Sequence, residues 1–193
     1  MFKPIILASN SPRRKQVLEN LGLKFQVICS EFEEVLTEDI CPYELPAYFA
    51  IQKARDVAQK VNYDSIIIAA DTIVICNEIL GKPANEEEAY KMLKAMSGNV
   101  HEVVTGIGII DRVNNIEISD REITKVYFKK ISDDEIYKYI QSGEYMDKAG
   151  SYGIQGKASL FIEKIEGDYF NVVGLPVCKL GVMLQEYFNY SLL

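Results

Sequence analysis

The chain has 193 residues, 48% of them apolar and 25% charged, with a formal net charge of −7. That size suits one large domain, or a domain with a lobe, and the balance is that of a soluble globular protein with a real core. The acidic excess argues against a general nucleic-acid or acidic-membrane binder, which needs a basic field, so a polyanion would have to be held by local cations or a metal.

Cys29, Cys41, Cys76 and Cys178 are scattered without a C-x-x-C pair, and His101 is the single histidine, which disfavours a zinc site. The apolar run after Lys3-Pro4 is too short for a secretory signal. The longest apolar stretch, residues 66–75, is split by Asp71 and is far too short to span a bilayer. The expectation is a cytoplasmic protein with reduced thiols.

Ile5-Ile6-Leu7 reads as a buried strand, and Leu7-Ala8-Ser9-Asn10-Ser11-Pro12-Arg13-Arg14 as a tight loop entering a helix. Ser11 suits the N-cap and Pro12 the first helical position; Val17, Leu18 and Leu21 share a face, and Gly22 is the stop. A helix N-terminus beside Ser9, Ser11, Arg13 and Arg14 is a candidate polyphosphate site; the competing reading is an ordinary capped helix with solvated arginines. Residues 25–29 alternate as a second strand, and Glu31-Phe32-Glu33-Glu34 follows as a loop. That acidic run is either a solvated face or a source of metal-binding carboxylates.

The clearest helix covers residues 46–61, with Ala47, Ala50, Ile51, Ala54, Ala58 and Val61 in one stripe. Lys53 lies at the stripe's edge, either snorkelling into water or aimed along the protein. Residues 65–75 read as a central strand, apolar on both faces, into which Asp71 is set. A buried carboxylate there demands a cation, a metal or strong donors, unless Asp71 simply turns the chain at a strand end.

Gly81-Lys82-Pro83 closes that excursion, and Asn85 with Glu88 caps a helix whose buried stripe is Ala89, Met92, Leu93 and Met96. Residues 101–110 and 117–129 form a predicted hairpin, and His101 reads as structural rather than catalytic. Ser132 and Glu135 make a capping box for a helix that Gly143 ends. A glycine-punctuated loop over 147–156, a short strand over 160–164 and a final helix with Val177, Leu180, Leu184 and Tyr187 inward complete the chain. Alternating strands and helices with one long hairpin predict an α/β fold with a mixed sheet, and no linker divides residues 1–193.

Ser9, Arg13, Arg14, Glu34, Lys53, Asp71, Lys82 and Gln155 combine cations, carboxylates and one amide at loop or strand ends. Without a Ser-His-Asp set, a reactive Cys-His pair or a G-x-x-x-x-G-K-[ST] loop, acyl transfer and the common ATPase mechanism recede. Cations beside hard oxygen ligands suit phosphoryl or nucleotidyl chemistry around Mg²⁺.

The residues also resemble a family. The block 7–14, Ala69-Ala70-Asp71-Thr72-Ile73-Val74, Gly81-Lys82-Pro83 and Ser97-Gly98-Asn99-Val100-His101 are similar to those of the Maf family. So are Asp147-Lys148-Ala149-Gly150-Ser151-Tyr152-Gly153-Ile154-Gln155-Gly156 and Asn171-Val172-Val173-Gly174-Leu175-Pro176, in the same order along the whole chain. The resemblance implies an elongated α/β fold with a mixed sheet and helices on its faces, shared with the inosine-triphosphate pyrophosphatases. It implies a single Maf-like domain, commonly dimeric, that cleaves nucleoside triphosphates between the α- and β-phosphates. Asp71 would be the proton acceptor, and Arg13, Thr72 and Gln155 the specificity positions.

Ser-Tyr-Gly-Ile-Gln-Gly over 151–156 resembles the branch acting on dTTP and UTP rather than on 7-methyl-GTP. A glutamine amide offers a donor and an acceptor, which matches the imide edge of uracil or thymine. Phe32-Glu33-Glu34 departs from the aliphatic-Asp-Glu of relatives, and leaves open which glutamate touches the metal. The expected arrangement has Mg²⁺, with Mn²⁺ or Co²⁺ as substitutes, bridging the triphosphate to Asp71 and Glu34. Ser9, Arg13, Arg14, Lys53 and Lys82 would hold the phosphates, while Asp71 remains either base or ligand. The expected partners are a nucleoside triphosphate and a second copy of the chain, with neither nucleic acid nor membrane. The competing function is a non-enzymatic regulator of septum formation, the process to which the family is historically linked.

Overall fold

In the computed structural model, which describes residues 3–35 and 39–192, the strand β1 (Ile5–Leu7) is buried on every side chain. β1 pairs in parallel with β2 (Phe25–Val27) on one side and with β3 (Ile66–Cys76) on the other, Ile5 lying opposite Phe25 and Ile66. A strand flanked on both edges and covered on both faces needs an uninterrupted apolar run, as Ile5-Ile6-Leu7 and residues 66–70 supply. Among the described residues seven strands make one mixed sheet in the order β2-β1-β3-β5-β6-β7. Here β5 is Val100–Asp111, β6 is Ile116–Phe128 and β7 is Ile162–Glu166. A short strand, β4 (Glu78–Leu80), folds back antiparallel on β3 after Asn77, whose φ is +61°.

By its contacts the chain divides into two compact units, and β3, β5 and β6 each contribute residues to both. The first unit comprises Met1–Asp71, Thr105–Glu122 and Gly174–Leu193. It holds α1 (Pro12–Asn20), α2 (Leu45–Lys60) and α6 (Val177–Phe188). Its core joins Ile6, Ile67 and Ala69 of the sheet to Ile51, Ala54, Val57 and Ala58 of α2. α2 lies unusually close to β5 because Gly106 and Gly108 present no side chain to it. A Cβ on Gly108 would stand 2.6 Å from the Ala50 carbonyl carbon and the Ile51 amide nitrogen, and one on Gly106 would overlap the Pro46–Ala47 backbone.

The second unit, Thr72–Val104 and Ile123–Val173, packs α3 (Glu86–Met96) and α4 (Asp133–Gln141) around Val74, Val103, Val126 and Phe128. The predicted capping box of Ser132 and Glu135 is present at the start of α4. Asn85 accepts from the Glu88 amide at 2.9 Å, while Glu88 reaches back to Ala84 rather than to the cap itself.

Several expectations shift. Leu21 is the C-cap of a helix that stops at Asn20, so it falls off the buried face and is exposed. Met183, not Tyr187, completes the inward stripe of α6 with Leu180 and Leu184. A 3-10 turn over Lys157–Phe161 delays the last strand to residue 162, and a short helix, α5 (Tyr169–Val173), precedes α6.

Candidate active site

Asp71 follows five fully buried residues of β3 and is itself only 6% exposed. A carboxylate so placed requires a partner, and α2 provides it. Lys53 extends from the helix so that its Nζ lies 2.6 Å from Asp71 Oδ1 and 2.5 Å from Glu34 Oε1. The edge lysine therefore points along the protein, with 13% of its side chain exposed.

Glu34 reaches this point because its loop is fastened to the same helix. Asp56 Oδ2, one turn beyond Lys53, accepts the Glu31 amide at 2.7 Å and the Ser30 hydroxyl at 2.9 Å. The Phe32 amide donates to Ser30 Oγ, and the Phe32 ring packs on Phe49 of α2 at 6.2 Å. Burial opposes ionisation of Asp56, yet the Glu31 amide, Lys60 and Ser30 together hold its carboxyl below the usual range. Of the two glutamates left open by the sequence, Glu34 is the one that meets Lys53.

The loop before α1 makes the second feature. Ser11 caps the helix, its Oγ accepting the Arg14 amide at 3.5 Å, with Pro12 at the first helical position. Ser9 Oγ accepts the Ser11 amide and Arg14 Nη1, both at 3.2 Å, which leaves its O–H as a donor. Arg14 Nε donates to the Gly174 carbonyl at 2.7 Å. Burial pushes the Arg14 guanidinium below its ordinary value, with Asp71 and Glu34 acting against that shift and Arg13 adding to it. Two guanidiniums, one partly desolvated, thus share a field with both carboxylates at a helix N-terminus.

Ser9, Arg13, Arg14, Glu34, Lys53 and Asp71 accordingly gather in the first unit. Thr72, Lys82 and Gln155 belong to the second. Thr72 follows Asp71 on β3 and is half-buried; Lys82 is exposed in the turn after β4; Gln155 is exposed in the loop after the 3-10 turn Ala149–Ser151. The turn and the loop are joined by the Gly150 amide, which donates to the Gly81 carbonyl at 3.0 Å. Gly150 (φ +65°) also lies against Val74 of β3, where a Cβ would stand 3.0 Å from the valine side chain.

His101 is buried, its Nε2 lying 2.8 Å from the Tyr152 hydroxyl, and its ring is edge-on to Phe128 and Tyr152. That is a core position. Sequence reasoning passed over Asp56 and the Gly174 carbonyl. The first sits on a helix face without other signal, and the second is a backbone group 160 residues from the arginine it holds.

Among the described residues no cluster of three or more His, Cys, Asp or Glu is poised for a metal. Glu34 and Asp71 nevertheless turn oxygens onto one cation, the Lys53 ammonium. Two hard carboxylates converging on a single positive charge fit Mg²⁺, which typically takes one or two carboxylates and completes its shell with water and substrate phosphate.

The family model described as Maf-like protein matches residues 4–187. The chain is 54% identical to a dTTP/UTP pyrophosphatase of Alkaliphilus oremlandii, over all of both chains. It is 53% identical to the dTTP/UTP pyrophosphatase of Alkaliphilus metalliredigens, covering 98% of each. Against the dTTP/UTP pyrophosphatase of Clostridioides difficile identity is 46%, with 97% of each chain covered. Among solved structures, a HAM1 protein from Coxiella burnetii superposes with a TM-score of 0.57 at 18% identity, over 96% of this chain and all of that one, a likeness of fold. With a family match that runs from β1 into α6, and relatives aligned end to end, the chain belongs to the Maf family.

Proposed function

We propose that this protein is a nucleoside triphosphate pyrophosphatase acting on dTTP and UTP, adding water across the α–β anhydride to give the nucleoside monophosphate and pyrophosphate. The observation that carries this reading is the Glu34–Lys53–Asp71 group beside the Ser9–Arg14 helix terminus. The names of relatives at 46–54% identity supply the substrate class.

Asp71 takes the proton of the attacking water. A carboxylate has two oxygens, so Asp71 can keep one toward a cation and receive the proton on the other. Arg13, Arg14, Lys53 and Lys82 neutralise the triphosphate and the departing pyrophosphate, and the Ser9 hydroxyl donates to a phosphate oxygen. Glu34 and Asp71 are the residues that would hold a divalent ion, Mg²⁺ first, with Mn²⁺ or Co²⁺ as substitutes. Such an ion supplies charge neutralisation on phosphate oxygens and lowers the pKa of bound water. Arg13, Thr72 and Gln155 select the base, the Gln155 amide pairing with the imide edge of uracil or thymine.

The same reading takes residues 1–193 as one working domain, a cytoplasmic homodimer that acts on free nucleotides. Among the described residues no helix is long and apolar enough to cross a membrane. The test is a panel of nucleoside triphosphates with Mg²⁺ or Mn²⁺ and chromatographic resolution of the products. Monophosphate and pyrophosphate from dTTP and UTP are expected. Diphosphate and orthophosphate would overturn the cleavage position, and turnover of other bases alone would overturn the selection.

A further inference from the structure

Gln155 sits on an exposed turn over residues 153–156, closed by the Gly156 amide donating to the Gly153 carbonyl at 3.1 Å. A long, exposed amide does not hold its own direction, because its rotamers are cheap to exchange. Its aim is set by the backbone on either side. On the N-terminal side the anchors are deep in the second unit: Tyr152 is buried against His101 and Phe128, and the Ser151 hydroxyl lies 3.0 Å from Met92 Sδ.

On the C-terminal side the anchor is Glu144. Its Oε2 accepts the Lys157 amide at 2.8 Å, two residues beyond Gln155. Lys157 opens the 3-10 turn Lys157–Phe161, whose cap residue, Gly156, has no side chain to satisfy the first N–H groups. Glu144 supplies that acceptor from outside the turn, just after the Gly143 that ends the α4 segment. A Cβ at Gly156 would fall onto Glu144 Oε2, so the absence of one lets the carboxylate come down on the backbone. The Lys157 ammonium lies 3.8 Å from Oε1, and a carboxylate makes a stronger acceptor than a neutral group.

We infer that Glu144 is a positioning residue for base selection: through the Lys157 amide it fixes the turn that presents Gln155. This rests on the proposed reading of the base by Gln155. Glu144 touches neither base nor phosphate in this role. Its loss frees the turn, and misplacement of a reading group weakens discrimination.

The experiment measures kcat and KM for UTP and CTP in the intact protein and four variants. Glu144→Ala should raise KM for UTP and cut the UTP-over-CTP preference by about tenfold, with kcat for UTP changed less. Glu144→Gln keeps an acceptor oxygen and should retain the preference. Lys157→Pro deletes the same N–H from the other side. Proline is tolerated at the first position of a helical turn after an extended residue, as Gly156 is, so this variant should reproduce Glu144→Ala even if that one folds poorly. Gln155→Ala is the reference for loss of base reading. Relaxed selection in Gln155→Ala with full selection in Glu144→Ala or Lys157→Pro overturns the role of Glu144 alone. Unchanged selection in all variants removes the reading by Gln155, and the inference with it.

Discussion

Lys53 and Asp71 form an ion pair of 2.6 Å across the contact between α2 and β3, and the same ammonium lies 2.5 Å from Glu34. The lysine thus stands at the point on which both candidate metal ligands converge. An ammonium and a divalent ion cannot share that point, so in the proposed reading a bound metal would displace the amine, whose flexible four-carbon stem would let it turn toward the phosphates.

Lys53→Met tests that relationship without relying on turnover. Removing the ammonium leaves two carboxylates facing each other, and Mn²⁺ should bind the nucleotide-free protein more tightly, while hydrolysis falls. Electron paramagnetic resonance of free Mn²⁺ reads the affinity directly. Unchanged or weaker binding would mean that Glu34 and Asp71 are not the ligands. Leaving Asp71 without its ion-pair partner, with only the Arg14 guanidinium in its field, should also cost about 3–5 kcal/mol of stability in the absence of metal, restored in part by Mn²⁺.

Arg14→Lys keeps the charge but loses the fork. The guanidinium bonds the Gly174 carbonyl through Nε and Ser9 Oγ through Nη1, and a lysine cannot make both contacts from one flexible ammonium. Steady-state kinetics should show kcat/KM for dTTP down about 10–100-fold, the worth of one or two charge-assisted hydrogen bonds. Wild-type kinetics would make Arg14 a bystander.

Gly108→Ala probes the close seating of α2. The added Cβ meets backbone atoms of Ala50 and Ile51 at 2.6–2.7 Å, and backbone cannot step aside as a side-chain tip can. Urea unfolding should show a loss of about 1–3 kcal/mol, or more, with little change in the slope. Since Lys53 and the anchor of the Glu34 loop both ride on α2, activity at saturating metal should fall as well.

His101 should make the fold acid-sensitive. Burial lowers its pKa from 6.5 to about 4, so the imidazole is neutral in the folded protein. Between these values the unfolded chain binds the extra proton. The contribution is therefore intact above pH 6.5 and is lost as pH falls toward 4, by on the order of 3 kcal/mol in total. Urea titrations across this range should show a shallower decline in His101→Gln than in the wild type.

The sequence made Asp71 conspicuous because a charge interrupts a run of residues buried on both faces, and the same logic demanded a cation near it. It showed Lys53 at the edge of the α2 stripe, and Ser11 and Pro12 at the start of α1, because caps and helical periodicity are local signals. The choice of Glu34 over Glu33 was not legible. It depends on Asp56 and the Phe32–Phe49 contact, which fasten a loop to a helix by tertiary bonds alone. The approach of α2 to Gly106 and Gly108 was hidden for the same reason, since a glycine in a strand does not announce what it admits. β4 escaped notice because three residues, with Leu80 alone fully buried, give too short a pattern to read.

The most direct test of the account is the rate of pyrophosphate release from dTTP by Asp71→Asn. Asparagine keeps the shape, and Lys53 keeps Glu34 as partner, so the variant should fold with unchanged circular dichroism. In the proposed reading it removes the proton acceptor and a metal-facing charge together. The account predicts a fall in kcat of at least about 10²–10⁴-fold. Near wild-type turnover by the folded variant would contradict it, and would require another residue to activate the water.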